Sequence, residues 1–180
     1  MTTKSQMRTY AKKRLDKERF YRYQASKKIS LKIASLIAQH NPQSILFYLP
    51  MAHEVDLRPL MWALRPYKRI YVPFMEHDSF KMVPFALPFF RSKYAILQPK
   101  KSHRTVTKVD MAIVPILAFD KAYKRIGFGK GMYDRFFARL TTKPITIFVQ
   151  TKRIESPHIL TDAYDIRADY VVTAKDFLIL

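Results

Sequence analysis

The chain of 180 residues contains no cysteine and few of the features that mark exported or membrane-bound proteins. Without cysteine, neither a disulfide scaffold nor a thiolate metal site can form. The first residues, M-T-T-K-S-Q-M-R, lack the apolar core of a signal peptide, and no run of about 18 apolar residues occurs. We therefore expect a cytoplasmic protein that does not enter the membrane.

Glycine is almost as scarce as cysteine. The chain has three glycines, and all lie within five consecutive residues, at Gly127, Gly129 and Gly131. Glycine costs conformational entropy, so this clustering indicates a backbone with positive φ or a close approach by another group. Backbone N–H groups in such a loop converge into a nest that binds anions. The spacing G-x-G-x-G differs from the Walker A and dinucleotide-binding patterns, so neither of those folds is predicted.

Charged residues flank these glycines. The cations are Arg125, Lys130 and Arg135, and Asp134 could hold a divalent metal over a phosphate. This combination is typical of a nucleotide-phosphate site. The alternative is a strand-to-helix turn with a solvated basic flank.

Acidic residues are also few, since 14 Asp and Glu stand against 33 Lys and Arg for a formal net charge of +19. Nearly half of this excess lies in residues 1–32, where eleven Lys or Arg and two acidic residues give a net charge of +9. Such a field attracts polyanions, whether nucleic acid, an acidic membrane surface or a phosphorylated or polycarboxylate small molecule. Lys4 and Arg8 fall on one helical face and could grip one phosphate, although a solvated basic face explains their spacing equally well.

Apolar patterns predict strands that alternate with helices. The predicted helices cover residues 4–20, 26–39, 57–64 with Asp56 as the cap, and 133–140. The predicted strands cover residues 44–49, 69–74, 80–83, 94–97, 109–114, 145–150 and 170–173. We therefore predict an α/β fold, a single three-layer α/β/α domain over residues 1–180 with a mostly parallel sheet and a basic N-terminal helical arm.

Carboxylates near the predicted strand ends are candidates for chemistry. Glu54 follows the strand 44–49, at the edge where open α/β sheets usually bind ligands, and could accept hydrogen bonds from a heterocycle or simply be solvated. Asp134 and Asp165 could share a divalent ion, although lone aspartates more often cap helices or lie on the surface. No two of the five histidines are spaced i, i+4, and no G-x-S-x-G nucleophile elbow occurs.

Six motifs, spread over almost the whole chain, together point to one family. The two longest are Y-L-P-M-x-x-E-V-D and F-D-x-x-x-x-R-I-G-F-G-K-G-M-Y-D-R-F. The others are Lys4-x-x-x-Arg8, the Gln98-Pro99 step, D-M-A-I-V-P before the glycines and D-I-R-A-D-Y-V-V-T near the end. In this order they resemble the 5-formyltetrahydrofolate cyclo-ligase family, whose members are also called 5,10-methenyltetrahydrofolate synthetases.

The resemblance implies a ligase that uses ATP and Mg²⁺ to close 5-formyltetrahydrofolate to 5,10-methenyltetrahydrofolate through a phosphorylated formyl group (an imidate phosphate). It implies ATP contacts at Lys4, Arg8, Arg125, Ile126, Gly127, Phe128, Gly129, Lys130, Gly131, Met132 and Tyr133. It implies folate contacts at Leu49, Glu54, Phe128, Gly129, Lys130, Gly131 and Met132. It also implies magnesium contacts at Asp134 and Asp165. We expect Arg125 and Lys130 to be the catalytic cations of phosphoryl transfer.

Several positions depart from the family pattern. Ala122 or Tyr123 stands where a glycine commonly precedes the loop arginine, so the hairpin into the loop could be built differently. Met132 replaces a tyrosine, Tyr94 stands near the place of an aromatic wall, and Tyr164 replaces a histidine before the second metal aspartate. Because none removes a phosphate or metal ligand, we expect altered folate affinity rather than lost chemistry.

A different function, a non-catalytic nucleic-acid-binding protein, is the alternative. The aromatic residues Tyr10, Phe20, Tyr21 and Tyr23 interleave with the cations of the arm, as in single-strand binders, or else anchor the arm to the core. The cyclo-ligase interpretation also accounts for the basic surface, because ATP and polyglutamylated folates are polyanions. It requires no nucleic acid or membrane, and it implies a monomer or weak dimer.

Overall fold

A seven-stranded sheet organises the computed structural model of the protein, which describes residues 3–91, 97–99 and 106–180. Within these residues the strands are β1 (Ser44–Leu46), β2 (Arg69–Glu76), β3 (Ser79–Pro84), β4 (Phe89–Arg91), β5 (Leu97–Pro99), β6 (Met111–Pro115), β7 (Ala118–Phe119), β8 (Arg125–Ile126), β9 (Ile145–Val149), β10 (Tyr170–Val172) and β11 (Phe177–Ile179). The large sheet has the order β11-β10-β9-β6-β1-β2-β3. Its five central strands are parallel, and β3 and β11 are antiparallel edge strands.

Four helices accompany the sheet in the described part of the chain. They are α1 (Lys4–Lys17), α2 (Arg22–His40), α3 (Arg58–Leu64) and α4 (Met132–Phe137), with one 3₁₀ turn between α1 and α2. Thr3 and Gln6 form a capping box at the start of α1, and Asn41 in the left-handed region ends α2. None of the helices in the described ranges is long and apolar enough to cross a membrane.

Both faces of the sheet are buried, because alternate residues of its central strands enter different clusters. Ile113 and Ile147 pack with Ile33 of α2 on one face. Val114 and Phe148, one position further along their strands, pack with α4 on the other. The strands read as continuous apolar runs because neither face meets water. This architecture confirms the predicted α/β fold with a mostly parallel sheet.

The basic helix α1 packs at the end of the sheet rather than on either face. Its apolar stripe of Met7, Ala11 and Leu15 is buried against the small antiparallel β7–β8 hairpin, including Ile126. The predicted arm is therefore a docked helix with one apolar side and basic residues around the rest. This docking brings its N-terminal half to the glycine loop that follows β8.

Local boundaries differ from the sequence predictions in identifiable ways. Asp56 is not the cap of α3, because Leu57 occupies that position and Asp56 instead accepts the Arg58 N–H and pairs with its guanidinium. The α2 helix begins four residues before the predicted start, and β4, β7, β8 and β11 were not predicted. The predicted strand 94–97 lies outside the described residues except for its last residue, which begins β5.

The hairpin into the glycine loop is built with a tyrosine at its turn. Tyr123 has φ +56°, in the left-handed region that glycine usually fills, and its N–H donates to Asp120 O. The side chain of Asp120 accepts two N–H groups of the same turn, from Ala122 and Lys124. These bonds hold the turn without glycine, so the departure from the family pattern leaves the hairpin intact.

Candidate active site

A cavity of about 660 Å³ opens where neighbouring parallel strands end. Met51 and Glu54 enter it from the loop after β1, Met75 from the end of β2, and Pro115 from the last position of β6. The carboxyl edge of an open α/β sheet is where such folds bind ligands. The volume lies within the usual range of sites for small molecules.

The glycine loop forms one wall of this cavity. Gly129 and Gly131 have φ of +96° and +59°, so the loop uses the left-handed backbone that the clustered glycines predicted. Gly127 serves a different purpose, because a Cβ there would overlap the guanidinium of Arg125. The loop thus combines two left-handed turns with one close approach of an arginine to the backbone.

Arg125 is a buried cation at the back of the cavity, with 7% of its surface exposed. Its Nε donates to Pro115 O at 3.1 Å, and the guanidinium lies 4.7 Å from the centre of the Tyr133 ring. Burial lowers the pKa of Arg125, while the nearby carboxylate of Asp134 acts in the opposite direction. A rigid guanidinium in a desolvated site exerts a stronger field on an anion than one in water.

Glu54 faces the same cavity from the opposite loop. Met51 N–H donates to its carboxylate at 2.8 Å. Burial raises the pKa of Glu54 to about 7, against the hydrogen bond from Met51 and the charge of Arg125, which lower it. A carboxyl group that titrates near neutrality can accept either a hydrogen bond or a proton from a ligand.

Helix α1 brings Lys4 and Arg8 to the outer side of the loop. Arg8 Nε donates to Gly127 O at 3.0 Å, and its guanidinium also lies against Gly129. Lys4 Nζ lies 2.5 Å from Asp165 Oδ2 and 3.4 Å from Asp162 Oδ2. The structure therefore brings together two residues, Lys4 and Asp165, that sequence reasoning assigned to nucleotide and metal.

The two aspartates considered for magnesium each accept a backbone N–H from the segment 162–166. Asp134 Oδ1 accepts the Ile166 N–H at 3.4 Å, and the buried Asp165 accepts the Asp162 N–H at 2.7 Å. In the described ranges no group of three His, Cys, Asp or Glu side chains could hold a metal by itself. Two carboxylates fit Mg²⁺ that is completed by substrate phosphates and water, since the ion rarely uses an all-protein cage.

A model of the 5-formyltetrahydrofolate cyclo-ligase family matches residues 1–174 of the chain. The chain belongs to this family. Family membership makes the protein a ligase, and it contradicts the alternative of a non-catalytic nucleic-acid-binding protein.

Individual relatives agree over most of the chain. The 5-formyltetrahydrofolate cyclo-ligase of Haemophilus influenzae is 24% identical over 176 residues, which cover 91% of this chain and 93% of the relative. The NMR structure of Aquifex aeolicus 5,10-methenyltetrahydrofolate synthetase matches with a TM-score of 0.83 and 29% identity, covering 98% of this chain and 92% of the other. The Mycoplasma pneumoniae synthetase structure, at 22% identity and a TM-score of 0.71 over 93% of this chain and 96% of its own, supports the fold.

Many of the residues that the family resemblance singled out do line the cavity: Glu54, Arg125, Phe128, Lys130, Gly131, Met132 and Tyr133. Leu49 and Ile126 do not, because their side chains are buried in apolar clusters. Any contact of these two with ligand would have to come from backbone or after a shift of the core. The ligand contacts of all these residues stay predictions, and Tyr94 lies outside the described residues.

Sequence reasoning missed part of the cavity wall. His77 and Asp78 lie in the turn after β2 and line the cavity, and Arg135 Nε donates to Asp78 O at 2.8 Å. The rule that identified Glu54, proximity to the carboxyl end of a parallel strand, would also have identified this turn. His53 packs against Phe128 with 4.8 Å between ring centres, a contact that no local pattern indicates.

Proposed function

We propose that the protein closes 5-formyltetrahydrofolate to 5,10-methenyltetrahydrofolate and converts ATP to ADP and phosphate. The observation that carries the proposal is the joint placement of Arg125, Lys130 and Glu54 around one cavity. Cations and a glycine loop suit a triphosphate, and the apolar walls with a near-neutral carboxyl group suit a pterin. The names of the relatives supply the reaction, and the cavity is large enough for a small-molecule ligand.

The formyl oxygen is a poor leaving group, so activation by phosphate is the difficult step. The oxygen attacks the γ-phosphorus, the bond to ADP breaks, and the formyl group becomes an imidate phosphate. The N10 amine then bonds to the formyl carbon, phosphate leaves with the formyl oxygen, and N10 loses its proton. That proton ends on the departing phosphate, which balances charge and atoms.

Arg125 and Lys130 stabilise the transferring phosphoryl group in this proposal. Arg125 is fixed by Pro115 and Tyr133, so its charge needs little rearrangement as the transition state forms. Lys130 is exposed on the loop and lines the cavity, where it can follow the phosphate. Lys4 and Arg8 hold the outer phosphates from α1, where Arg8 already bonds the loop.

Glu54 accepts a hydrogen bond from the folate and receives the N10 proton before it passes to phosphate. Its pKa of about 7 makes both protonation states available at neutral pH. Asp134 and Asp165 would hold Mg²⁺, whose charge would neutralise that of the phosphates when bound. Polyglutamylated substrates would further suit the net charge of +19.

The test is a conversion assay with purified protein, Mg-ATP and 5-formyltetrahydrofolate, followed by the absorbance of the methenyl product. We expect product that requires ATP, and a loss of about a hundredfold or more in the Lys130→Ala variant. The exposed Lys175, outside the cavity, supplies the matched control Lys175→Ala. Absence of turnover across salt and pH, or equal rates in both variants, would contradict the proposal.

A further inference from the structure

Helix α1 presents two different basic sides, and the glycine loop uses one of them. Lys4, Arg8 and Lys12 face the loop, as shown by their contacts with Asp165, Gly127 O and the Phe128 ring respectively. A second set of α1 residues, Tyr10, Lys13 and Lys17, lies about a quarter of a helical turn or more from the buried apolar stripe, on the side opposite to these three cations. That set points away from the cavity.

Along the chain, further exposed rings and cations follow in the 3₁₀ turn and at the start of α2, and we call the whole exposed set the outer surface. Its exposed aromatic residues are Tyr10 (52% exposed), Phe20 (90%), Tyr21 (65%) and Tyr23 (72%). Its exposed cations are Lys13, Lys17, Arg19, Lys27 and Lys28. None of these nine residues lines the 660 Å³ cavity.

The exposure of the aromatic rings decides between the two roles that the sequence left open for them. Rings that anchored the arm to the core would be buried, whereas Phe20 is almost fully in contact with solvent. Cations already lie over two of the tyrosines, with Lys27 Nζ 4.8 Å from the Tyr23 ring centre and Arg14 6.0 Å from that of Tyr10. The core is instead reached by Met7, Ala11 and Leu15.

We propose that the outer surface binds single-stranded nucleic acid, as a second activity separate from the ligase site. Unpaired bases stack on exposed aromatic rings, and neighbouring cations bind the phosphates between them. In a duplex the phosphates are accessible but the base faces are hidden, so a duplex can contact the cations of the outer surface but cannot stack on its rings. The tight interleaving of rings and cations therefore favours single strands.

An acidic membrane is less suited to the outer surface. Helices that lie in a membrane interface bury a continuous apolar face in lipid. In α1 that face packs on the β7–β8 hairpin, and in α2 the corresponding residues, including Ile29 and Ile33, pack on the sheet. The residues that remain exposed for a partner are mainly cations and tyrosines. They match a polyanion whose bases can stack on aromatic rings.

The test measures fluorescence anisotropy of a labelled oligothymidylate as the full-length protein is added, at several salt concentrations. Five phosphate contacts would give a fall in log affinity with log salt of slope up to about 3.5. The combined variant Phe20→Ala, Tyr21→Ala, Tyr23→Ala should bind at least about a hundredfold more weakly, because each stacked ring contributes roughly tenfold. The matched control is Tyr67→Ala, since Tyr67 is 78% exposed and lies outside the outer surface.

Further measurements separate this inference from the ligase proposal and from membrane binding. Folate cyclisation and the melting temperature should be unchanged in the triple variant, which separates this inference from the ligase proposal. Lys13→Gln with Lys17→Gln should lower the salt slope by about 1.4. The inference is overturned if the triple variant binds oligothymidylate like the wild type, or if the wild type binds a duplex of equal length as tightly as the single strand. It is also overturned if the triple variant loses binding to phosphatidylserine vesicles but keeps binding to oligothymidylate.

Discussion

Replacing Glu54 with glutamine should stabilise the fold at neutral pH while it impairs the reaction. Burial raises the pKa of Glu54 from its ordinary value of 4.5 to about 7, so the folded protein holds this proton more tightly than the unfolded chain does. The free energy of unfolding therefore falls as pH rises from 4.5 to about 7, and it stays lower above that range. A neutral glutamine of similar shape removes this loss.

The size of the effect follows from the two pKa values. At about 1.4 kcal/mol for each pH unit, the interval corresponds to about 3 kcal/mol. The assay is urea unfolding of wild type and Glu54→Gln at a series of pH values from 4.5 to 8. The difference in free energy of unfolding should be small at the acid end and grow toward about 3 kcal/mol in favour of the variant.

Asp56→Asn is the matched control, because Asp56 is a carboxylate two residues away whose pKa is shifted in the opposite direction. The hydrogen bonds from the Arg58 side chain lower the pKa of Asp56, so its carboxylate contributes stability that is present at neutral pH and lost on acidification. Asparagine should therefore destabilise the protein at neutral pH. Turnover should fall by about a hundredfold or more in Glu54→Gln alone. A stability difference for Glu54→Gln that does not change with pH would refute the reasoning.

Two more predictions concern the glycine loop and its neighbouring carboxylates. Gly127→Ala places a methyl group against the buried Arg125 guanidinium, so the free energy of unfolding should fall by about 1–3 kcal/mol and turnover should fall with it; an unchanged urea midpoint and rate would contradict the close packing. Asp134→Asn should raise the Mg²⁺ concentration needed for half-maximal turnover at fixed ATP without lowering the melting temperature, and an unaltered Mg²⁺ titration would argue against this role of Asp134.

The parallel core of the sheet was predictable, because strands buried on both faces read as continuous apolar runs. Ile113 and Val114 point to opposite faces of the sheet and both pack in apolar clusters, so the strand sequence does not alternate between apolar and polar residues. The short hairpin of β7 and β8 was not predictable in this way. Two-residue strands are too short to carry a period, and the turn between them is held by Asp120 and a left-handed Tyr123 rather than by glycine.

The candidate site was predictable only where local sequence features mark it. Local composition identified the glycine loop, and strand-end position identified Glu54. Burial of Arg125 beside Tyr133 and the raised pKa of Glu54 arise from residues distant in sequence, which only the folded chain brings together. The pairing of Lys4 with Asp165 spans most of the chain and has no local signal.

The docking of α1 on the β7–β8 hairpin has a consequence for how a nucleotide would be captured. Met7, Ala11 and Leu15 hold the helix through apolar contacts that need no phosphate. Lys4 and Arg8 are thus in position before any ligand arrives, and little conformational freedom remains to be lost when it does. A triphosphate that binds the ammonium group of Lys4 must replace its ion pair with Asp165 but need not order the helix.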